Sequence, residues 1–182
     1  SHFGGSRSWA YLHRRSFPIN NVDPTGLDIR VTFEDNTQEW MTPLDLYVYT
    51  GGSIKCPKKI RKIEFEGHAT PQMQGANPWD RYSKNGGLKL VRGSDGKDHV
   101  NLLVNGQDVG NFANRLRGML TSDATLVLGG CRTCAEPNSI THVLNTETGR
   151  PVTGNGNYVY GTYVRGGFLD GGFWGNPQTI GR

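Results

Sequence analysis

Apolar positions along this chain change period several times, and each change marks an element. Residues 28–33 and 45–49 cluster or alternate β-branched and aromatic residues, the pattern of strands. Residues 59–67, KIRKIEFEG, place Ile60, Ile63 and Phe65 in a third strand-like run. After His68 the chain turns polar, with Pro71, Pro78 and the Gly86-Gly87 pair, and reads as a long loop over 69–87. Leu88–Val91 and Val100–Val104 read as a hairpin around a Ser94-Asp95-Gly96 turn. Val109, Phe112, Ala113, Leu116 and Leu120 recur on one face of a 3.6-residue period, which predicts a helix over 107–120 with Asp108 as N-cap. Residues 124–129, ATLVLG, are an uninterrupted apolar run that suits a strand buried on both faces, as in a parallel sheet covered by helices. Ile140, Val143 and Leu144 predict a helix over 138–146 capped by Asn138, and a short strand follows at 151–153. NYVYGTYV, residues 157–164, alternates like a hairpin strand. Strands alternating with helices predict an α/β fold: a mostly parallel sheet flanked by helices, with β-hairpins in the C-terminal part.

A chain of 182 residues fits one domain and can bury a core without a disulfide or metal staple. Ten of its 26 glycines cluster from Gly149 onward and predict a C-terminal third rich in turns. The net charge of +4 is mild, compatible with nucleic acid but explained by solubility alone. The densest basic run, Lys55, Lys58, Lys59, Arg61 and Lys62, reads as a solvated approach to a strand, with a partner-binding patch as the alternative. No apolar run approaches the ~20 residues that cross a bilayer, and no secretory apolar segment opens the chain. Three cysteines, Cys56, Cys131 and Cys134, argue against a disulfide framework. Cys131 and Cys134 form a CxxC without a second pair, and His142 lies outside zinc spacing, so no metal is expected. A redox pair is a further reading, although such sites need a particular βαβ context. Without a Rossmann or P-loop fingerprint, no cofactor is expected.

Two positions carry candidate chemistry. His68 directly follows the strand Ile63-Glu64-Phe65-Glu66-Gly67, and Cys131 directly follows Leu126-Val127-Leu128-Gly129-Gly130. Sites in open α/β sheets form at the carboxyl ends of parallel strands, so adjacent parallel strands would deliver both side chains to one edge. An imidazole there can take the proton of a thiol and leave the nucleophilic thiolate. Backbone N–H groups of Ala69 and Cys131 are the candidate donors to a developing oxyanion. Gly67, Gly129 and Gly130 would leave room for a substrate backbone. Cys134, one turn further on, reads as structural; His99, after a hairpin turn, and His142, in a helix, read as solvated; Cys56 has no role. The competing reading of Cys131 is a small buried hydrophobe in a non-catalytic binding module.

The two motifs, Gly67-His68-Ala69 and LVLGGC ending at Cys131, resemble the clan CD cysteine peptidases: caspases, gingipains, bacterial CHAT domains and the self-cutting domains of large toxins. The resemblance spans roughly residues 45–165 and implies a caspase-like fold and peptide-bond hydrolysis through His68 and Cys131. Ala69 stands where those families carry Gly. Their P1 pocket lies near the Cys strand and the next strand, which points to Gly129, Gly130, the 152–158 segment and Asp170. Ala10-Tyr11-Leu12 and Pro18 to Leu27, PINNVDPTGL, resemble the end of an Rhs-repeat core. That implies a boundary: residues 1–27 close the Rhs shell, and residues 28–182 form the toxin domain. In that family the shell cuts itself after the motif, here between Leu27 and Asp28, with Asp23 implicated. The implied setting is a secreted effector delivered into a target-cell cytoplasm. Its partners would be a protein substrate, an immunity protein and the rest of the Rhs shell. A toxin acting on nucleic acid or NAD stays open as an alternative.

Overall fold

A computed structural model describes residues 29–76, 86–159 and 176–181. The proposed shell segment 1–27, with Asp23, Leu27 and Asp28, lies outside the described residues, as do Asp170 and residues 160–164. Within them the chain is mixed α/β, with three helices and two sheets.

The first sheet starts from alternation. In β1 (Ile29–Phe33) the residues Ile29, Val31 and Phe33 are buried, while Arg30 and Thr32 face the other way. β1 turns through Asn36, which is left-handed (φ 64°), into β2 (Gln38–Met41). The expected strand over 45–49 is instead helix α1 (Pro43–Thr50). Its start is dictated locally: the Thr42 hydroxyl accepts from Asp45 N–H, and the Asp45 carboxylate accepts from Thr42 N–H. With Pro43 opening the helix, this reciprocal cap outweighs the strand preference of Tyr47, Val48 and Tyr49.

β3 (Ile60–Phe65) lies beside β1, antiparallel. The second sheet then forms from β4 (Ala69–Thr70), β5 (Met73–Gly75), β6 (Gly86–Arg92), β7 (Asp98–Val104) and β8 (Gln107–Val109), paired in that order and antiparallel throughout. The expected loop after His68 therefore contains two short strands, and the expected hairpin is β6–β7. β8 corrects the start of the expected helix: Asp108 lies in a strand and caps nothing. Asn105 and Gly106, both with positive φ, make the two-residue turn that returns β7 into β8. Helix α2 (Phe112–Met119) begins only after Asn111.

β9 (Leu120–Leu128) returns the chain to the first sheet, parallel to β3. Helix α3 (Ile140–Thr148) follows, with Ser139 rather than Asn138 at its N-cap and left-handed Gly149 (φ 64°) ending it. β10 (Val152–Asn155) runs parallel to β9, and β11 (Pro177–Ile180) pairs with it antiparallel.

The first sheet has the order β11-β10-β9-β3-β1-β2. Of its five pairings only β3–β9 and β9–β10 are parallel, so the expected mostly parallel sheet is corrected to a mixed one. A parallel core of three strands is flanked on each side by strands that run antiparallel to their neighbours.

The helices each lie against β7, with α1 also reaching β2 and α3 reaching β10. One apolar cluster joins Val31, Phe65, Leu126 and Leu128 of the first sheet, Leu46, Leu116 and Leu144 of the helices, and Leu102 of the second sheet. All the apolar members of the first sheet in that cluster project from one face. β9 is therefore not buried on both faces along its length: Thr125 is exposed, and the unbroken buried stretch begins at Leu126.

The opposite face carries a row of side chains aligned by register, Trp40, Arg30, Glu64, Val127, Thr153 and Thr179. At its centre Glu64 is 2% exposed, 2.6 Å from Arg30 Nε and 3.0 Å from Lys62 Nζ. Burial alone would raise its pKa, but the hydrogen bonds and charges of Arg30 and Lys62 outweigh burial and hold it below the ordinary value. Arg30→Met leaves that buried carboxylate without its closest cation and lowers stability by about 3 kcal/mol at pH 7. Because the pKa is depressed on folding, this contribution is complete above the unfolded carboxyl pKa and disappears as pH falls through the folded one. Urea denaturation at pH 7 and pH 3 therefore shows a gap between native and variant that narrows in acid.

Candidate active site

β3 and β9 are adjacent and parallel, with Phe65 opposite Leu128. His68 and Cys131 each lie three residues beyond that matched pair, at the same end of the sheet. The backbones stay together past the strands: Gly129 N–H donates to Phe65 O at 3.0 Å. A Cβ on Gly130 would lie 2.2 Å from Ala69 Cβ and 2.7 Å from Gly67 O. The residues on both sides of His68 therefore touch the residue before Cys131. The space beside Gly130, expected to admit a substrate, is filled by the chain's own Ala69 and Gln74; this glycine lets two turns meet.

Two buried carboxamides hold the turns, and sequence reading missed both. Gln74 on β5 is fully buried; it donates to Gly67 O (3.3 Å) and Gly75 O (2.8 Å) and accepts from Gly130 N–H (2.8 Å). Asn155, at the end of β10, donates to Gly129 O and Gly130 O, each at 3.1 Å. Thr133 completes the frame: its hydroxyl donates to Leu128 O and accepts from Asn155 N–H. In this way the polar backbone where the strands splay apart is satisfied inside the protein, as burial demands. Gly87 marks where β6 approaches β5 closely: its φ is 140°, and a Cβ there would lie 2.2 Å from the Gln74 backbone oxygen.

Cys131 is half-buried and opens a tight turn whose next residue, Arg132, is left-handed (φ 57°). The stretch after β10 lies along this turn: Cys134 N–H donates to Asn155 O and Arg132 N–H to Asn157 O. The Cys131 sulfur joins the same series, accepting from Val159 N–H at 3.2 Å and facing Val159 O at 3.8 Å. Among the described residues, the partners of its hydrogen bonds are the Val159 N–H and carbonyl. His68 is exposed, and its carbonyl accepts from Gly75 N–H. That bond makes His68–Gly75 the hydrogen-bonded pair of the β4–β5 ladder, so Ala69, opposite Gln74, turns its N–H away from β5.

The rival groups are accounted for. Cys134 is buried, which raises its thiol pKa, and its sulfur lies 3.7 Å from Gln178 Oε1. Cys56 is exposed in a loop. His142 shares a hydrogen bond with Ser139 Oγ at 3.0 Å. His99 is not simply solvated: its Nδ1 faces Glu147 at 3.0 Å and its Nε2 faces Asp95 at 2.9 Å. A cavity of about 280 Å³ opens beside His99 and Glu147, lined also by Asn111, Phe112 and Asn114. It lies away from Cys131, and its ionisable groups are tied to one another, so the sheet end is the stronger candidate. Among the described residues no group of three or more His, Cys, Asp or Glu is arranged for a metal, and no helix is long and apolar enough to cross a membrane. Most of the basic run is engaged locally, with Lys58 on Asp35, Lys59 on Gly118 O, Arg61 on Asn36 and Lys62 on Glu64.

The Glu147 and then the Asp95 hydrogen bonds raise the His99 pKa. A pKa raised on folding adds stability that is complete below the unfolded value near ~6.5 and is lost as pH rises through the folded value. The melting-temperature gap between native protein and His99→Gln is therefore wider at pH 5.5 than at pH 9.

No protein-family model matches the chain, and no match was found among curated proteins or solved structures either.

Proposed function

We propose that this chain is a caspase-like cysteine endopeptidase in which Cys131 attacks a peptide carbonyl and His68 transfers the proton. One observation carries the reading: the parallel β3–β9 pair, in register at Phe65 and Leu128, brings the turns bearing His68 and Cys131 to the same sheet end. Contact of Gly130 with Gly67 and Ala69 supports it further.

In the reaction, His68 takes the thiol proton and sulfur adds to the carbonyl carbon. The resulting oxyanion is stabilised by N–H donors, for which Ala69 N–H is suited because it points away from its own ladder. Collapse of the adduct expels the amine, which takes the proton from His68, and water then hydrolyses the thioester. Catalysis requires the imidazole to meet the sulfur, a contact of the kind that often tightens only with substrate bound. The stretch from Asn155 to Val159 walls the thiol on one side and is the candidate S1 border. The engaged basic run gives the nucleic-acid alternative no support.

With the Rhs-like segment 1–27, the reading extends to a toxin delivered into a target-cell cytoplasm, acting there on protein and neutralised in the producer by an immunity protein.

Purified protein is expected to degrade unfolded casein, and Cys131→Ala or His68→Ala to reduce the rate by at least about 100-fold. Plasmid DNA, RNA and NAD incubated alongside should stay intact. Casein cleavage that survives Cys131→Ala, or loss of nucleic acid or NAD in its place, rejects the peptidase.

A further inference from the structure

The proposed dyad has a structural weakness. His68 and Cys131 sit on two separate turns beyond the last matched strand pair, where the β3–β9 ladder no longer holds them in register. Something else has to fix one turn against the other.

We propose that Gln74 is a positioning residue, whose carboxamide locks the His68 turn onto the Cys131 turn. This rests on the peptidase reading for its catalytic meaning, but its geometry stands apart from it. The carbonyl that Gln74 binds belongs to Gly67, immediately before His68. The N–H that it accepts belongs to Gly130, immediately before Cys131. A single planar group thus spans the two residues that aim the two side chains. Its oxygen also lies 2.9 Å from where a Gly130 Cβ would stand, so no larger residue fits between them.

The anchor is rigid on its own side. Gln74 pairs with Leu88 of β6 while Ala69 of β4 stands opposite it, so the central residue of a three-stranded ladder carries the clamp. The side chain has no exposed surface, and it donates a second time, to Gly75 O. An amide is required, because the site needs a donor for Gly67 and an acceptor for Gly130 together. A carboxylate lacks the donor, asparagine is one methylene too short to span the turns, and an apolar residue leaves both backbone groups buried and unpaired. Through Gln74 the second sheet acquires a function: it braces a site formed by the first.

The test measures proximity rather than catalysis. In the 182-residue chain carrying Cys56→Ser, Cys134→Ser and His68→Cys, oxidised glutathione should drive a disulfide between the new thiol at position 68 and Cys131, read by peptide mapping. Adding Gln74→Met, which keeps length and packing, should slow that bond at least tenfold while alkylation of Cys131 by iodoacetamide stays unchanged. A merely structural contribution would move both rates or neither. Gln74→Glu at pH 8 is the second variant, with the same slowing expected, and it decides the matter where the Met variant does not fold. Bonding as fast without the amide as with it overturns the proposal. Absence of the bond even with Gln74 present overturns it too, together with the dyad, since Gln74 cannot align groups that never meet. A slowed bond in the His68→Cys protein, with the native protein leaving casein intact, keeps Gln74 as the clamp and rejects only the peptidase.

Discussion

Everything at the candidate site depends on the parallel pairing of β3 with β9. Parallel neighbours end on the same side of a sheet, whereas antiparallel neighbours end on opposite sides. Had β9 entered the sheet reversed, Cys131 would emerge some six residues of strand away from His68. The pairing is secured chiefly by apolar burial: Ile63, Phe65, Leu126 and Leu128 share one face under the helices, and all are fully buried. A one-residue slip would turn these side chains to the other face, where Glu64 and Thr125 now stand, so the register is strongly specified.

Where the ladder stops, a different force takes over. Past Phe65 and Leu128 the strands separate, and their backbone groups would be buried without partners. Gln74, Asn155 and Thr133 supply those partners: Gln74 and Thr133 each bind groups from two separate stretches of chain, and Asn155 binds the carbonyls of Gly129 and Gly130. Fully satisfied buried networks of this kind fix one arrangement, because each alternative leaves a polar group unpaired in a low-dielectric interior. Apolar burial sets which strands meet; the carboxamides set how the turns beyond them are aimed.

The two faces of the first sheet are held by different chemistry. One is a conventional apolar face covered by helices. The other places a buried carboxylate between two cations, with a Thr153–Thr179 hydroxyl pair at 2.8 Å further along the row, beyond Val127. Such a face tolerates less change than an apolar one, since removing one charge strands the others.

Sequence alone determined what local physics determines. Alternation gave β1 and β3, the ATLVLG run gave the sealed end of β9, and helical spacing gave α3 and the body of α2. Two local signals also stood in the sequence and went unread: Thr42-Pro43-Leu44-Asp45, a capping box that makes 43–50 helical, and Asn105-Gly106, a hairpin turn that makes Gln107–Val109 a strand. The candidates His68 and Cys131 were legible because each directly follows a strand. Only the tertiary structure decided that the sheet is mixed, that helices cover one face of it, and that Gly130 is packed against Ala69. Gln74 and Asn155 were invisible for the same reason: a polar residue in a loop-like stretch acquires meaning from the backbone groups folding brings to it, and those lie up to 56 residues away.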